Sequence, residues 1–209
     1  MNAASIAWRI RTDRLLLRGW RESDAPALSQ VILENFEHLH PWMPWAGDHE
    51  QQSVEAKLKF IRTSRGEFLK GKTLGFAIFG ADERGLLGSV GLHARIGSGA
   101  REIGYWIARD HLRRGLATEA AGALTRLAFE QFRVRLVEIH CDPTNEPSSG
   151  VARRLGFALR TTMRNCVPRP GMSPRDNMMW MLHRDQFADS EAARIFIRVD
   201  RGDHMQPIA

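Results

Sequence analysis

The stretch that decides the fold is EIGYWIARDHLRRGLAT, residues 102–118. An apolar strand runs to Ala108, a basic turn with small residues follows, and a long helix begins near Leu116. The first N–H groups of a helix have no intrahelical partner, and the helix dipole favours negative charge there. Because Gly115 and Ala117 let a ligand approach this backbone closely, the stretch predicts a strand, a pyrophosphate-binding loop and a helix.

Two familiar phosphate-binding motifs are absent from this stretch. It contains neither GxGxxG nor the GK[ST] of a P-loop, so dinucleotide and nucleoside triphosphate sites are not supported.

Hydrophobic periodicity and turn residues predict the other elements along the chain. The predicted strands are residues 15–20, 73–79, 86–93, 101–108, 136–141, 157–163 and 178–182. The predicted helices are residues 23–36, 53–70, 116–132 and 148–155. Strands that alternate with helices in the second half require a parallel pair joined by a crossover, so we expect a mixed α/β sheet. The two prolines of residues 38–47 predict a broken loop that carries Trp42 and Trp45.

The charge balance is basic, with 30 Lys plus Arg against 24 Asp plus Glu and a net charge of +6. This charge fits an anionic ligand, an acidic partner or nucleic acid. The lysines are confined to residues 57–72 and the arginines are spread over the chain, so we do not expect a nucleic-acid-binding stripe.

The two cysteines, Cys141 and Cys166, lie far apart and show no metal-ligand spacing. Neither a disulfide framework nor a zinc site is indicated, and a reducing cytoplasm is the expected location. Arginines interrupt the N-terminus, and no apolar run reaches 18 residues. We therefore expect neither a signal peptide nor a membrane-spanning segment.

The spacing of Leu112, Gly115 and Ala117 resembles the acetyl-CoA loop of the GCN5-related N-acetyltransferases (GNAT). Six further segments are similar to the RimJ/RimL-like branch of that superfamily and occur in the same order. They are TDRLLLR (12–18), LHPWMPW (39–45), EIGYWI (102–107), ATEA (117–120), NEPS (145–148) and LGF (155–157). The chain is identified on these segments as a member of the branch over residues 10–185.

The resemblance implies a GNAT domain over residues 1–187, with a mostly antiparallel sheet and helices on both faces. The fourth and fifth predicted strands would diverge near Ala108 and Cys141, and acetyl-CoA, the acetyl donor, would enter the gap. Pantetheine would pair with the backbone of Trp106 and Ile107, and Asn145 would contact its other side. The pyrophosphate would lie on the amides of Arg113, Arg114, Gly115, Leu116, Ala117 and Thr118. Residues 188–209 form a tail that is either an added edge strand or disordered.

The resemblance also suggests candidate catalytic groups. Many relatives use a tyrosine acid at the position of Ala152, but the single tyrosine of this chain is Tyr105. The serine of the NEPS segment takes that role in the branch, which assigns the acid to Ser148; its alternative role is to cap the helix. Glu102 resembles a strand carboxylate that deprotonates an amine through water, and its alternative role is to pair with Arg101 or another arginine.

The acceptor follows from an energy comparison. An α-amine with a pKa of about 7.7 is roughly one-sixth neutral at pH 7, whereas deprotonating a lysine with a pKa of about 10.4 costs about 4.6 kcal/mol. A site with a weak base therefore favours a protein or peptide N-terminus, with the loop of Trp42 and Trp45 as the acceptor-side wall. Alternatives are an enzyme for a small amine and a non-catalytic ribosome- or RNA-binding module. A homodimer stays open, and His93 and His140, at strand ends, are expected to be structural.

Overall fold

The computed structural model describes residues 8–48, 50–169 and 172–200. Within these ranges the strands are β1 (Arg9–Arg11), β2 (Leu15–Gly19), β3 (Thr73–Gly80), β4 (Leu86–His93), β5 (Ala100–Ile107), β6 (Leu136–Cys141), β7 (Ala158–Arg169), β8 (Met172–His183) and β9 (Arg198–Asp200). The helices are α1 (Ala25–Glu34), α2 (Phe36–Leu39), α3 (Val54–Leu69), α4 (Leu116–Glu130), α5 (Glu146–Arg154), α6 (Arg184–Phe187) and α7 (Glu191–Arg194). No helix among the described residues is long and apolar enough to cross a membrane.

All strands of the described chain join one sheet in the order β7-β8-β6-β5-β4-β3-β2-β1-β9. Its neighbouring strands are antiparallel except β5 and β6, which are parallel. The predicted mixed, mostly antiparallel sheet is therefore confirmed. The parallel register covers four pairs and ends at Ile103 and Ile139, although β5 continues to Ile107 and β6 to Cys141.

Helices cover both faces of the sheet, as β2 shows most directly. Leu15 and Leu17 belong to the core that contains α4, whereas Leu16 belongs to the core that contains α1 and α3. All three side chains are at most 1% exposed. Because successive strand residues point to opposite faces, a strand covered on both sides becomes a continuous apolar run.

The start of α4 is fixed to the turn between β1 and β2. The buried Glu119, in the first turn of the helix, accepts hydrogen bonds from Thr12 Oγ1 (2.5 Å), Arg14 N (3.0 Å) and Arg14 Nε (2.7 Å). These contacts span more than 100 residues of sequence and hold the end of the helix that follows the basic loop. Sequence periodicity contained no signal for them.

The largest differences from the predicted elements are in the hairpin β7–β8. Both strands have 12 residues and extend well beyond the predicted 157–163 and 178–182. Most of the added residues of β7 are exposed, so they lack the apolar alternation on which the prediction relied. The proline-containing loop is broken as predicted, into α2 and a 3₁₀ turn at Pro44–Gly47.

The described part of the C-terminal segment packs on the domain. Ala192 of α7 is fully buried, and β9 pairs with β1 as an edge strand. Of the two alternatives for residues 188–209, the edge strand is present at Arg198–Asp200. Residues 1–7 of the predicted domain and residues 201–209 of the predicted tail lie outside the described residues.

We expect Glu119→Gln to lower the free energy of unfolding by about 1–3 kcal/mol, because the buried Thr12 hydroxyl and the Arg14 donors beside it lose their carboxylate acceptor. Glu130→Gln is the matched control, since its pair with Arg126 is an exposed i,i+4 contact worth below about 0.5 kcal/mol. Urea unfolding followed by circular dichroism measures both variants. Equal stability of the two variants would contradict the anchoring role of Glu119.

Candidate functional site

The site is built around the gap between β5 and β6. Each strand keeps its outer partner after the parallel register ends: Ile107 still pairs with Gly88 of β4, and Cys141 with Met178 of β8. A Cβ at Gly88 would lie 2.1 Å from the carbonyl oxygen of Trp106, so β4 and β5 are in very close contact. The edge of β5 that faces the gap is therefore held rigidly and can pair with an extended ligand.

The basic loop lies at the end of β5 and has the geometry of an anion site. Arg113 and Gly115 both have left-handed backbone (φ 59° and 76°), and Gly115 is the N-cap of α4. Backbone of this kind, at a helix start, presents consecutive N–H groups in a concave row. Arg113 and Arg114 are exposed beside it. The loop thus has the shape of an anion site, and the diphosphate assigned to residues 113–118 stays a prediction.

Two long-range contacts hold the loop in place. Asn35 Oδ1, beyond the end of α1, accepts the backbone N–H of Arg109 at 2.6 Å. Arg14 NH1 donates to the carbonyl oxygen of Arg114 at 2.8 Å. The loop is therefore held in place by two residues that lie 74 and 100 positions earlier in the sequence.

Asn145 and Ser148 lie across the gap, at the start of α5. Asn145 is the N-cap, and its side chain accepts the backbone N–H of Ser148. The hydroxyl of Ser148 is consequently not the cap, so the capping alternative for it does not hold. The cap uses the side-chain oxygen Oδ1 of Asn145. The side-chain NH₂ group therefore remains as the donor that Asn145 can offer a ligand.

Tyr105 is the residue that sequence reasoning missed. Its hydroxyl reaches from β5 across the gap and lies 2.9 Å from Ser148 Oγ and 3.2 Å from the Ser148 carbonyl oxygen. Burial raises the pKa of Tyr105 well above its ordinary value, against the smaller lowering effect of the Ser148 hydrogen bond, so the phenol stays protonated. Strand alternation was the available signal, since it places Tyr105 with Ile103 on the face of the sheet that packs against α4.

Cys141 adds a thiol to the same face of the gap. Burial raises the pKa of this thiol, although the nearby polar groups of Ser148 and Trp180 act in the opposite direction. A protonated, 7% exposed thiol is a poor nucleophile. Its environment agrees with direct transfer to an acceptor, without a covalent enzyme intermediate.

Glu102 lies on the other face of β5 and has an arginine partner. Its carboxylate, 7% exposed, accepts two hydrogen bonds from Arg95, one of them 2.6 Å from Nε. Burial by itself raises the pKa of Glu102, but the hydrogen bond and charge of Arg95, with smaller effects of two histidines, lower it overall. The alternative role of Glu102 as an ion-pair partner is therefore present, with Arg95 in place of Arg101.

The loop of Trp42 and Trp45 lies beside the open part of this second face. Arg175 of β8 donates to the carbonyl oxygens of Pro41 (3.0 Å) and Trp42 (2.7 Å), which ties the loop to the sheet. Trp42 is partly buried, whereas Trp45 is 41% exposed. We name the face of β5, β6 and β8 that carries Glu102 and lies beside residues 40–48 the acceptor-side face.

Comparisons with known proteins agree with this geometry. The family model described as "Acetyltransferase (GNAT) domain" matches residues 14–158. The [ribosomal protein uS5]-alanine N-acetyltransferase of Escherichia coli is 29% identical over 154 residues, covering 71% of this chain and 77% of that protein.

Two solved structures have the same fold. Mycobacterium smegmatis RimJ, in complex with a CoA disulfide, superimposes with a TM-score of 0.80 at 25% identity, covering 90% of this chain and 91% of that one. RimL, the ribosomal L7/L12 alpha-N-protein acetyltransferase in complex with coenzyme A, superimposes with a TM-score of 0.76 at 26% identity, covering 83% and 96%. The match of the family model to residues 14–158, with which the gap and the basic loop agree, shows that the chain belongs to the GNAT acetyltransferases, enzymes that take the acetyl group from acetyl-CoA.

Proposed function

We propose that this enzyme acetylates the α-amine of a protein or peptide N-terminus, with ribosomal proteins as the first substrates to test. Two similar proteins are named for acetylation of ribosomal proteins, which supports this acceptor class. The observation that carries the choice is the ion pair of Glu102 with Arg95. A carboxylate with a lowered pKa is a weak base, and an α-amine needs much less help to lose its proton than a lysine does. Such substrates place the enzyme in the cytoplasm.

The proposed donor site uses backbone more than side chains. The amides of residues 113–118 bind the pyrophosphate, and the exposed guanidinium groups of Arg113 and Arg114 add charge-assisted hydrogen bonds. The edge of β5 at Trp106 and Ile107 pairs with pantetheine, and Asn145 offers its NH₂ group from the other side. When bound, acetyl-CoA would supply an activated acetyl group at the gap.

Ser148 is the proposed acid for the departing thiolate, and Tyr105 directs its proton. The phenol has one hydrogen and two acceptors within reach, the carbonyl oxygen and Oγ of Ser148. When Tyr105 donates to Oγ, the hydrogen of Ser148 must point elsewhere and is available to the sulfur. A serine held by a protonated phenol thus replaces the tyrosine that many relatives carry where this chain has Ala152.

An acceptor panel tests the proposed substrate class. Short peptides with free α-amines, the same peptides with blocked N-termini and an internal lysine, polyamines and aminoglycosides are each supplied with acetyl-CoA, and thiol release is followed. We expect the highest kcat/KM for free α-amines and at least 10-fold less for the blocked peptides. A preference for polyamines or aminoglycosides would overturn the acceptor class and leave the acetyltransferase activity intact.

Two substitutions test the proposed acid. We expect Ser148→Ala to lower kcat about 100-fold, the usual size of a general-acid contribution, with little change in KM for acetyl-CoA. Tyr105→Phe removes the directing hydrogen bond and should lower kcat about 10-fold. Ser149→Ala is the matched control, because that hydroxyl bonds the carbonyl oxygen of Glu146 within α5. Full kcat in Ser148→Ala would show that water protonates the thiolate.

A further inference from the structure

A cluster of ionisable side chains lies on the acceptor-side face of the sheet, opposite the face of Ser148. Glu102 of β5 is paired in register with His93 of β4 and with Glu138 of β6. His140 follows two residues after Glu138 and therefore points to the same face. Apart from Glu102, none of these side chains has a role in the proposed function.

His140 has the most direct access to the gap. It is the first residue of β6 after Ile139, where pairing with β5 ends. The corresponding residue of β5, the first after Ile103, is Gly104. A Cβ added to Gly104 would have only His93 Nε2 within 4 Å, at 3.6 Å. The side chain of His140 is 20% exposed. The imidazole thus lies at the mouth of the gap, opposite a position that has no side chain.

Glu138 orients the imidazole of His140. Its carboxylate is 7% exposed, and Oε2 lies 2.6 Å from His140 Nε2. This contact places the hydrogen of a neutral imidazole on Nε2 and leaves the lone pair of Nδ1 as the acceptor. The same carboxylate stabilises the imidazolium after a proton is taken up. A histidine held by a buried carboxylate is the usual arrangement of a general base.

The other candidates on this face are weaker bases. Glu102 is occupied by two hydrogen bonds from Arg95. Burial, with a further contribution from Arg95, lowers the pKa of His93 to about 4, so that imidazole stays neutral and accepts protons poorly. Two candidates are thus excluded by their surroundings.

We infer that His140, oriented by Glu138, is the general base that takes the proton from the acceptor amine. The inference rests on the proposed acetyl transfer to an amine. Ser148 and His140 then act from opposite faces of the sheet, with the acceptor entering on the histidine side and the thiol leaving on the serine side.

The proton balance of the step is complete. The amine enters as an ammonium ion and loses two protons while its nitrogen bonds to the acetyl carbon. One goes to Nδ1 of His140 and then to solvent. The C–S bond breaks, and the sulfur leaves as a thiol with the hydrogen of Ser148. The second amine proton, passed through water, restores the serine hydroxyl.

The charged groups around His140 come from three other strands or the segments beside them. Glu102 of β5 faces it together with Arg95, which follows β4, and His93 of β4 lies on the same face. From β8 the paired residue is the uncharged Met179, and Arg175 lies 4.0 Å from Asp142, next to the end of β6. The ion pair of Glu102 and Arg95 stays charged near neutral pH, because the pKa of Glu102 is lowered and that of Arg95 is raised. It therefore adds no titration of its own to the step.

His140→Gln tests the inference, because the glutamine keeps an N–H for Glu138 and has no titratable nitrogen. We expect kcat/KM at pH 7 to fall about 100-fold with the best acceptor of the panel. The deficit of the variant should shrink as the pH rises past the pKa of the α-amine, about 7.7, because an amine that is already neutral needs no base. His183→Gln, which removes a histidine at the far end of β8, should leave the profile unchanged.

Glu138→Gln is the second variant, and it separates orientation from folding. Loss of the carboxylate removes the group that orients the imidazole and stabilises the imidazolium, so kcat/KM at pH 7 should fall while the thermal stabilisation by acetyl-CoA stays. A His140→Gln enzyme with the wild-type rate and pH profile would overturn the inference. If the wild-type enzyme acetylates only small amines, the proposed acceptor class is overturned. The role of His140 is still tested in that case, because the same pH measurement is made with that amine. Failure to acetylate any amine would overturn both.

Discussion

The early end of the parallel ladder between β5 and β6 is the constraint on which the site depends. After Ile103 and Ile139 the two strands separate, but each remains hydrogen-bonded to its outer antiparallel neighbour. The gap is therefore bounded by two intact ladders and stays open without unfolding the sheet. Unpaired backbone at the centre of a sheet is costly unless a ligand satisfies it, so an extended, hydrogen-bonding ligand fits this position.

The alternation of strand side chains then divides the chemistry. On β5, Tyr105 points to the α4 side, and Glu102 points to the acceptor-side face. On β6, Cys141 lies on the first side and His140 on the second. In the proposed mechanism the serine that Tyr105 contacts and the histidine base therefore act from opposite faces of the sheet. The two-residue period of a strand thus decides which face Tyr105 and His140 reach, and the start of α5 supplies Ser148 to the first of these faces.

Much of the fold could be predicted from local patterns. Strand β4, strand β6 and the start of α4 agree with their predicted bounds, because each is a strongly periodic apolar segment ended by clear turn residues. Strand β1 and most of the hairpin β7–β8 were missed, since a strand of three residues is too short, and a hairpin with exposed ends too polar, to show an apolar alternation. The loop at residues 113–118 was identifiable for the opposite reason: its small residues and helix start are local requirements of anion binding.

The amino-acid sequence by itself determined the mixed sheet, the anion loop, the broken tryptophan loop and the family. All of these depend on residues close together in the chain. Only the tertiary structure decided four contacts. Tyr105 contacts Ser148, and Arg95 forms an ion pair with Glu102. Glu119 anchors the start of α4, and Glu138 orients the histidine at the mouth of the gap. Three of these four partners come together through turns, crossovers or strand pairing. The fourth contact, of Glu138 with His140, is local in the sequence. Its place at the gap depends on where β5 and β6 stop pairing, and no local pattern encodes that position.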